Sequence, residues 1–148
     1  MYQHILVAVD GSSTSDRALQ EALKLASKPG SRLRILVVVE PILLTGEAEY
    51  VNYNDIHKAV VGYAQNVLKK AGDAAGKAGV EAETRLIESK GFGERIADVI
   101  AHEAGAWPAD LIVIGTHGRR GFNHLLMGSV AEGVVRIATR PVLLIRGK

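Results

Sequence analysis

The stretch Asp110-Leu111-Ile112-Val113-Ile114-Gly115-Thr116-His117-Gly118 is a short apolar run that breaks into a glycine-bounded loop. Adjacent aliphatic side chains without polar alternation describe a strand covered on both faces, as in a parallel sheet flanked by helices. Nine residues separate Gly118 from Gly128-Ser129, after which Val130, Val134, Ile137 and Ala138 recur at helical spacing. Strand, loop and helix in this order make half of a βαβ unit, because parallel strands need a crossover that a tight turn cannot supply.

Four further runs carry the same strand signal: Ile5–Val9, Leu33–Val39, Val80–Ile87 and Val142–Ile145. All but one are near-continuously apolar, which predicts helices on both faces. In Val80–Ile87, Glu81, Glu83 and Arg85 alternate with Val80, Ala82 and Leu86, which predicts a half-solvated edge strand. The segments between them have helical period. Ala18, Ala22, Leu25 and Ala26 form one stripe, widened by Leu19 and Leu23; Ser13 with Asp16 reads as a capping-box-like start, and Pro29-Gly30 as the stop. From about Asp55 to about Lys77, the residues Ile56, Ala59, Val60, Tyr63 and Val67 share a face, and Ile96, Val99 and Ile100 share another. Ala71 to Gly79 reads as a helix end running into a turn. The expectation is an open, doubly wound α/β domain over residues 1–148, with a five-stranded parallel sheet and helices on both faces. Glu40 to Asn54 is long for a connection in such a domain and reads as a surface loop or lid.

The 148 residues, 47% hydrophobic and 23% charged, suit one core. A formal net charge of +2 disfavours nucleic-acid binding driven by bulk charge. With 0 cysteines, disulfides, thiolate metal sites and cysteine nucleophiles are excluded together. No apolar run approaches the roughly 20 residues of a membrane span. Met1-Tyr2-Gln3-His4 does not begin an export signal. A soluble, cytoplasmic protein without a membrane partner is expected.

Chemistry is expected where the glycine loop leaves its strand, since ligands of open parallel sheets bind beyond the carboxyl ends of the strands. Glycine at positions 115, 118 and 128 permits close backbone approach and positive φ. A helix opening at Ser129 aims unpaired N–H groups and its positive end at the same space. A few charge-assisted bonds of about 1.5–3 kcal/mol each, with a base pocket, suffice for micromolar binding, about −8 kcal/mol.

The pattern G-x2-G-x9-G-[ST], met by Gly115, Gly118, Gly128 and Ser129, resembles the nucleotide-binding signature of the universal stress protein family. The start, His4-Ile-Leu-Val-Ala-Val-Asp-Gly-Ser, and the end, Arg140-Pro-Val-Leu-Leu-Ile-Arg, are similar to that family too. The resemblance implies strand order 3-2-1-4-5, an adenine-nucleotide site, usually for ATP, and dimers. Carried over by motif, Asp10 meets the ribose hydroxyls or a Mg2+ on the phosphates, and Val38 offers backbone groups to the adenine. Gly115 and Gly118 pass the ribose and phosphates, and Gly128, Ser129 and Val130 hold the phosphate tail. A carboxylate beside a triphosphate is repulsive unless it faces the sugar or a cation, which independently confines Asp10 to those two roles.

Other readings stand beside these. Ser129 with Glu132 is a capping box by pattern, and Asp10-Gly11 is a common turn pair. Arg119 and Arg120 lie in the loop, where exposed arginine pairs are usually solvated. His117 and His124 stand seven apart without a third ligand, which disfavours zinc. His4, His57 and His102 read as surface or boundary residues. Gly91-Phe92-Gly93 reads as the entry turn of the third helix, since Ile96 stands where a dinucleotide fingerprint needs glycine. No P-loop motif occurs. A free edge at 141–146 invites antiparallel pairing with a second copy. The expected function is an ATP-binding stress or signalling module acting on a protein partner. The alternatives are a slow Mg2+-dependent ATPase or phosphoryl or nucleotidyl transferase using Asp10, with His117 or His124 as acid/base, and a cyclic AMP-binding module.

Overall fold

A computed structural model describes residues 1–41, 52–91, 93–118 and 127–147. Nine elements follow in strict alternation: β1 (His4–Ala8), α1 (Ser13–Leu25), β2 (Arg32–Val39), α2 (Tyr53–Lys77), β3 (Ala82–Glu88), α3 (Ile96–Ala106), β4 (Leu111–Gly115), α4 (Ser129–Ile137) and β5 (Val142–Ile145). All strand pairings are parallel, in the order β3-β2-β1-β4-β5. This is the expected doubly wound sheet, with the order that the family resemblance implied. Among the described residues no helix is long and apolar enough to cross a membrane.

Strand alternation divides the core into two layers. Ile5, Val7, Leu33, Ile35, Val37, Leu111 and Val113 face α1 and α2, while Leu6, Leu36, Ile112 and Ile114 face α3 and α4. Eight of the strand residues are fully enclosed, at 0% exposure: Ile5, Leu6, Val7, Leu33, Ile35, Leu36, Ile112 and Val113. This explains why β1, β2 and β4 lack polar alternation. β3 is the half-solvated edge its sequence predicts. β5 is the opposite edge and departs from the expectation of full cover. Its residues are only partly buried and Leu143 is 37% exposed, because α1 and α4 shield one side each but among the described residues no strand lies beyond it.

Two local readings are corrected by tertiary context, and a third, the entry turn of α3, is met. Ser12, one residue earlier than expected, caps α1: its Oγ accepts from Ser15 N at 3.2 Å, and Ser13 is the first helical residue. The buried side of α2 is Ala64, Leu68, Ala71 and Ala75, and the helix ends at Lys77, where it was expected to. Of the expected face Val60 and Val67 pack against the core, whereas Ala59 is exposed and Tyr63 is 44% exposed. α3 begins at Ile96, capped by Arg95 and Asp98, so Gly91 and Gly93, at φ +75° and +85°, form a turn preceding the helix. Phe92 and residues 42–51 of the expected lid lie outside the described residues; Asn52 caps α2 and Tyr53 and Asn54 belong to it.

A buried ion cluster ties sheet to helix on the α3 face. Glu103 of α3, 5% exposed, receives Arg34 Nη1 from β2 at 2.5 Å and Arg85 Nε from β3 at 3.1 Å. Arg34 also holds Glu83 at 2.8 Å and lies 4.8 Å from the centroid of the Trp107 ring, which His4 meets edge-on at 5.3 Å.

Candidate functional site

β1 and β4 are neighbours, with β2 beyond one and β5 beyond the other, so the chain reverses its winding between them. The crevice beyond their carboxyl ends is the switch point of the sheet. Asp10, Gly11 and Ser12 leave β1 there, and Thr116, His117 and Gly118 leave β4 beside them. The Asp10 carboxylate is oriented locally: Oδ1 accepts from Ser12 N at 2.9 Å, while Asp10 N donates to Ser15 Oγ at 3.2 Å.

The motif glycines are required by space and not by conformation. Positive φ is found at Gly11, Gly30, Gly79, Gly91 and Gly93, and at none of the positions 115, 118 and 128. A Cβ on Gly115 would stand 2.7 Å from Thr14 Cγ2, one on Gly118 would stand 2.6 Å from Asp10 Oδ2, and one on Gly128 would stand 3.0 Å from Thr116 O. These contacts draw the β1 turn, the β4 loop and the start of α4 together. The loop closes on itself where Gly128 N donates to Thr116 O at 2.6 Å, so the Gly128 amide is already engaged.

Gly128 is the N-cap of α4 and makes no side-chain cap bond, and the first bond of the helix runs from Glu132 N to Gly128 O at 2.9 Å. The capping box expected of Ser129 and Glu132 does not form: Ser129 is exposed and already helical, and Glu132 pairs with Arg136 at 2.7 Å. The amides of Ser129 and Val130 therefore head the helix without a side-chain cap. Amides without a backbone partner among the described residues and the positive helix end make this turn suited to an anion.

Val38 lies on the other side of β1. The bond from Val9 N to Leu36 O, at 2.9 Å, closes the β1 ladder. Two residues later, the N–H and C=O of Val38 point the same way, above the turn at Asp10, because backbone direction repeats with period two. A planar base with a donor and an acceptor on one edge matches this pair.

An open cleft of about 480 Å³ on the α1–α2 side of the crevice is lined by Gly11, Ser12, Ser13, Thr14, Tyr63, His117 and Gly118. It shares the β4 loop with the motif but includes neither Gly128 nor Ser129. Tyr63, which the sequence pattern put in the core, borders this cleft and lies against Gly11; its polar hydroxyl was the available signal. His117 Nδ1 meets Thr116 Oγ1 at 3.1 Å, and its buried Nε2 has no hydrogen-bond partner among the described residues. His57 is not solitary, since it pairs with Glu88 at 2.8 Å and stacks on Tyr53. Arg119, Arg120 and His124 lie outside the described residues. Among the described residues no cluster of three or more His, Cys, Asp or Glu side chains could hold a metal.

A model of the universal stress protein family matches residues 1–146. The chain belongs to this family. It is 32% identical to the universal stress protein YxiE of Bacillus subtilis, over 99% of this chain and 100% of that protein. Among solved structures it is similar to universal stress protein UspA from Lactobacillus plantarum, with TM-score 0.83, 25% identity and 98% of each chain covered. Two further family members were solved with adenine nucleotides. One, in complex with cAMP, has TM-score 0.71 and 27% identity, covering 98% of this chain and 97% of that one. The other, from Archaeoglobus fulgidus in complex with dAMP, has TM-score 0.70 and 28% identity, covering 97% and 98%.

Proposed function

We propose that the chain is an adenine-nucleotide-binding module in which ATP occupancy controls a stress response or signalling interaction. The observation that carries this reading is the uncapped turn at Ser129–Val130, set across the switch point from the Val38 backbone with Asp10 between them. Base, sugar and phosphate would meet Val38, Asp10 with Gly115 and Gly118, and the Gly128–Val130 turn, in that order across β2, β1 and β4. The chemistry of these groups fits the ligand: an amide and carbonyl pair for a base edge, a carboxylate for ribose hydroxyls, and free amides for phosphate. Asp10 is also the group that would face a Mg2+ held by the phosphates, most of whose ligands would then come from the nucleotide and water.

The complexes of relatives with cAMP and dAMP support adenine recognition and favour, as the second reading, a module for a cyclic or simple monophosphate. Slow Mg2+-dependent hydrolysis or phosphoryl or nucleotidyl transfer is the catalytic alternative. We further propose one domain over 1–148, a cytoplasmic location, and a homodimer in which residues 141–146 of two copies pair antiparallel and cover Leu143. A symmetric pairing of this kind would remove the open edge.

Equilibrium binding of ATP, dAMP and cAMP to the purified protein and to Gly128→Val tests the reading. Binding to the parent that falls at least about tenfold in the variant is expected, since the added side chain would press on Thr116 O. Equal affinities in the two proteins overturn it. Product release from ATP with Mg2+, absent in Asp10→Ala, would favour the catalytic alternative.

A further inference from the structure

β3 is the outer strand on the β2 side, and among the described residues no strand lies beyond it. Its register with β2 runs without a bulge from Leu33↔Ala82 to Val39↔Glu88, and Ala82–Glu88 holds no proline and no lysine. Ala82, Glu83, Thr84 and Arg85 are all exposed. Three of the usual means of blunting a sheet edge are therefore missing. The phase of the free backbone is fixed by the bonds to β2. Leu33 N donates to Glu81 O at 3.0 Å and Ser89 N donates to Val39 O at 2.8 Å, so the odd-numbered residues of β3 turn their N–H and C=O toward β2. Backbone direction repeats with period two, and Ala82, Thr84, Leu86 and Glu88 turn theirs outward.

Side chains alternate in the same way, which puts Glu83 and Arg85 together on the α3 face. Glu83 Oε1 accepts from Arg34 Nη2 at 2.8 Å, and Arg85 Nε lies 3.1 Å from Glu103 Oε1. These bonds hold both charges at the edge without covering them, since the two side chains remain 53% and 54% exposed. Each has capacity left: among the described residues the ion pairs engage one oxygen of Glu83 and one nitrogen of Arg85. On the α2 face, the neighbour of Thr84 is Gly72, where a Cβ would stand 3.4 Å from Thr84 Cγ2. At that position the helix sends no side chain over the edge.

We infer that β3 is an interaction surface for a second copy of this chain, pairing antiparallel with the same strand about a two-fold axis at Thr84. Two independent conditions select this register. The first is backbone phase. Outward-facing residues must meet one another, and about Thr84 they do: Thr84 meets Thr84, and Ala82 meets Leu86, as hydrogen-bonded pairs. The second is charge. Glu83 of each copy stands opposite Arg85 of the other in the intervening close pairs, with Cα atoms about 4.5 Å apart. Opposite charges facing each other across strands stabilise the pairing and like charges oppose it. An axis at residue 83 sets Glu83 against Glu83, one at residue 85 sets Arg85 against Arg85, and one at residue 82 sets Glu81 against Glu83. An axis at residue 86 faces Arg85 with Ile87, and an axis between two residues pairs an outward backbone with an inward one. A symmetric contact needs a self-complementary patch, and Glu83-Thr84-Arg85 is one. The inference depends neither on the nucleotide site nor on the 141–146 pairing, which uses the opposite edge of the sheet.

Sedimentation over a range of concentrations compares the parent chain with Thr84→Pro, Glu83→Arg and Arg85→Glu, with thermal unfolding as the check that each is folded. Thr84→Pro removes an outward N–H that β2 does not use, a position where an edge strand tolerates proline. Each variant is expected to lose one association step, so that its largest species has half the parent's mass. An equimolar mixture of Glu83→Arg and Arg85→Glu is expected to regain the parent's mass, because opposite charges then face each other again between unlike copies. A disturbed ion cluster within one copy cannot be repaired by mixing, so loss without recovery overturns the inference. Equal masses for the parent and Thr84→Pro overturn it too. The chain has 0 cysteines, so an introduced one reports alone. Thr84→Cys is expected to form a linked pair under mild oxidation, since Cα atoms about 5.5 Å apart in a hydrogen-bonded pair lie within reach of a disulfide. Ala82→Cys, which faces Leu86 and not its own counterpart, is expected to stay unlinked. Equal linking of the two cysteine variants overturns the register.

Discussion

Gly118 and Asp10 occupy adjoining space: a side chain on residue 118 would begin 2.6 Å from Asp10 Oδ2. The carboxylate cannot retreat freely, because its other oxygen accepts from Ser12 N at the start of α1. Backbone from β4 thus reaches a side chain from β1 only because residue 118 has none.

Gly118→Ala should therefore rotate Asp10 and break its bond to Ser12 N. A stability loss of about 1–2 kcal/mol is expected, the usual range for overpacking combined with a lost turn bond. Nucleotide affinity should fall more steeply than stability, since the displaced carboxylate is the proposed sugar contact. Urea unfolding and ATP titration on the same preparation check this; an unaltered affinity would separate Asp10 from the sugar.

Ser129→Ala distinguishes a capping serine from a ligand-facing one. Loss of a true N-cap hydroxyl costs about 1 kcal/mol. Here Gly128 is the cap and makes no side-chain cap bond, so the change in stability should stay within about 0.3 kcal/mol, as at an ordinary surface position. ATP affinity should drop at least roughly tenfold, the value of one hydroxyl bond to a charged group. A destabilised variant with normal affinity would restore the capping reading.

Glu103→Gln removes the negative centre of the cluster formed with Arg34 and Arg85. Arg34 keeps Glu83 at 2.8 Å and so is not left without a partner, and a loss of about 1.5–3 kcal/mol, that of a charge-assisted bond, is expected. Arg85→Ala should cost under about 1 kcal/mol, because that side chain is 54% exposed and its charge is screened. Chemical denaturation of both variants gives the comparison; equal losses would show that Arg34 alone does not hold Glu103.

Asp98 gives the pH prediction. The Arg95 backbone N–H, donating at 2.8 Å, is the main cause of a pKa held below the ordinary 3.8, and the Arg95 guanidinium adds to it. A depressed carboxyl stabilises the folded state above its unfolded pKa, and that contribution disappears as pH falls through the folded value. The start of α3 should therefore weaken only in the acid range below 3.8. An NMR titration of the Asp98 carboxyl should give a midpoint under that value. Arg95→Ala should raise it only partly, since the backbone donor remains.

How much of this was legible follows from what each signal measures. The strands and their two-sided burial were plain in Leu111–Ile114 and Leu33–Val39, because unbroken apolar runs have few other uses. Val142–Ile145 misled in part: an apolar run records that a surface tends to be covered, but not whether this chain or another covers it. Ser13 and Ser129 both sat in capping patterns and neither caps its helix, since serines adjoin at 12–13 and glycine precedes Ser129, and the pattern does not choose between neighbours. Tyr63 fitted the helical stripe by spacing, yet it lies where a Cβ on Gly11 would come within 2.5 Å of its hydroxyl.

The order of apolar runs, the glycine spacing and the absence of cysteine were properties of the sequence alone, since each depends on composition along one segment. Which glycines are conformational and which steric, and why Gly118 adjoins Asp10, were decided by strand order and register. These relations join residues more than a hundred positions apart, or on different strands, and no local pattern carries information about contacts that only the assembled sheet creates.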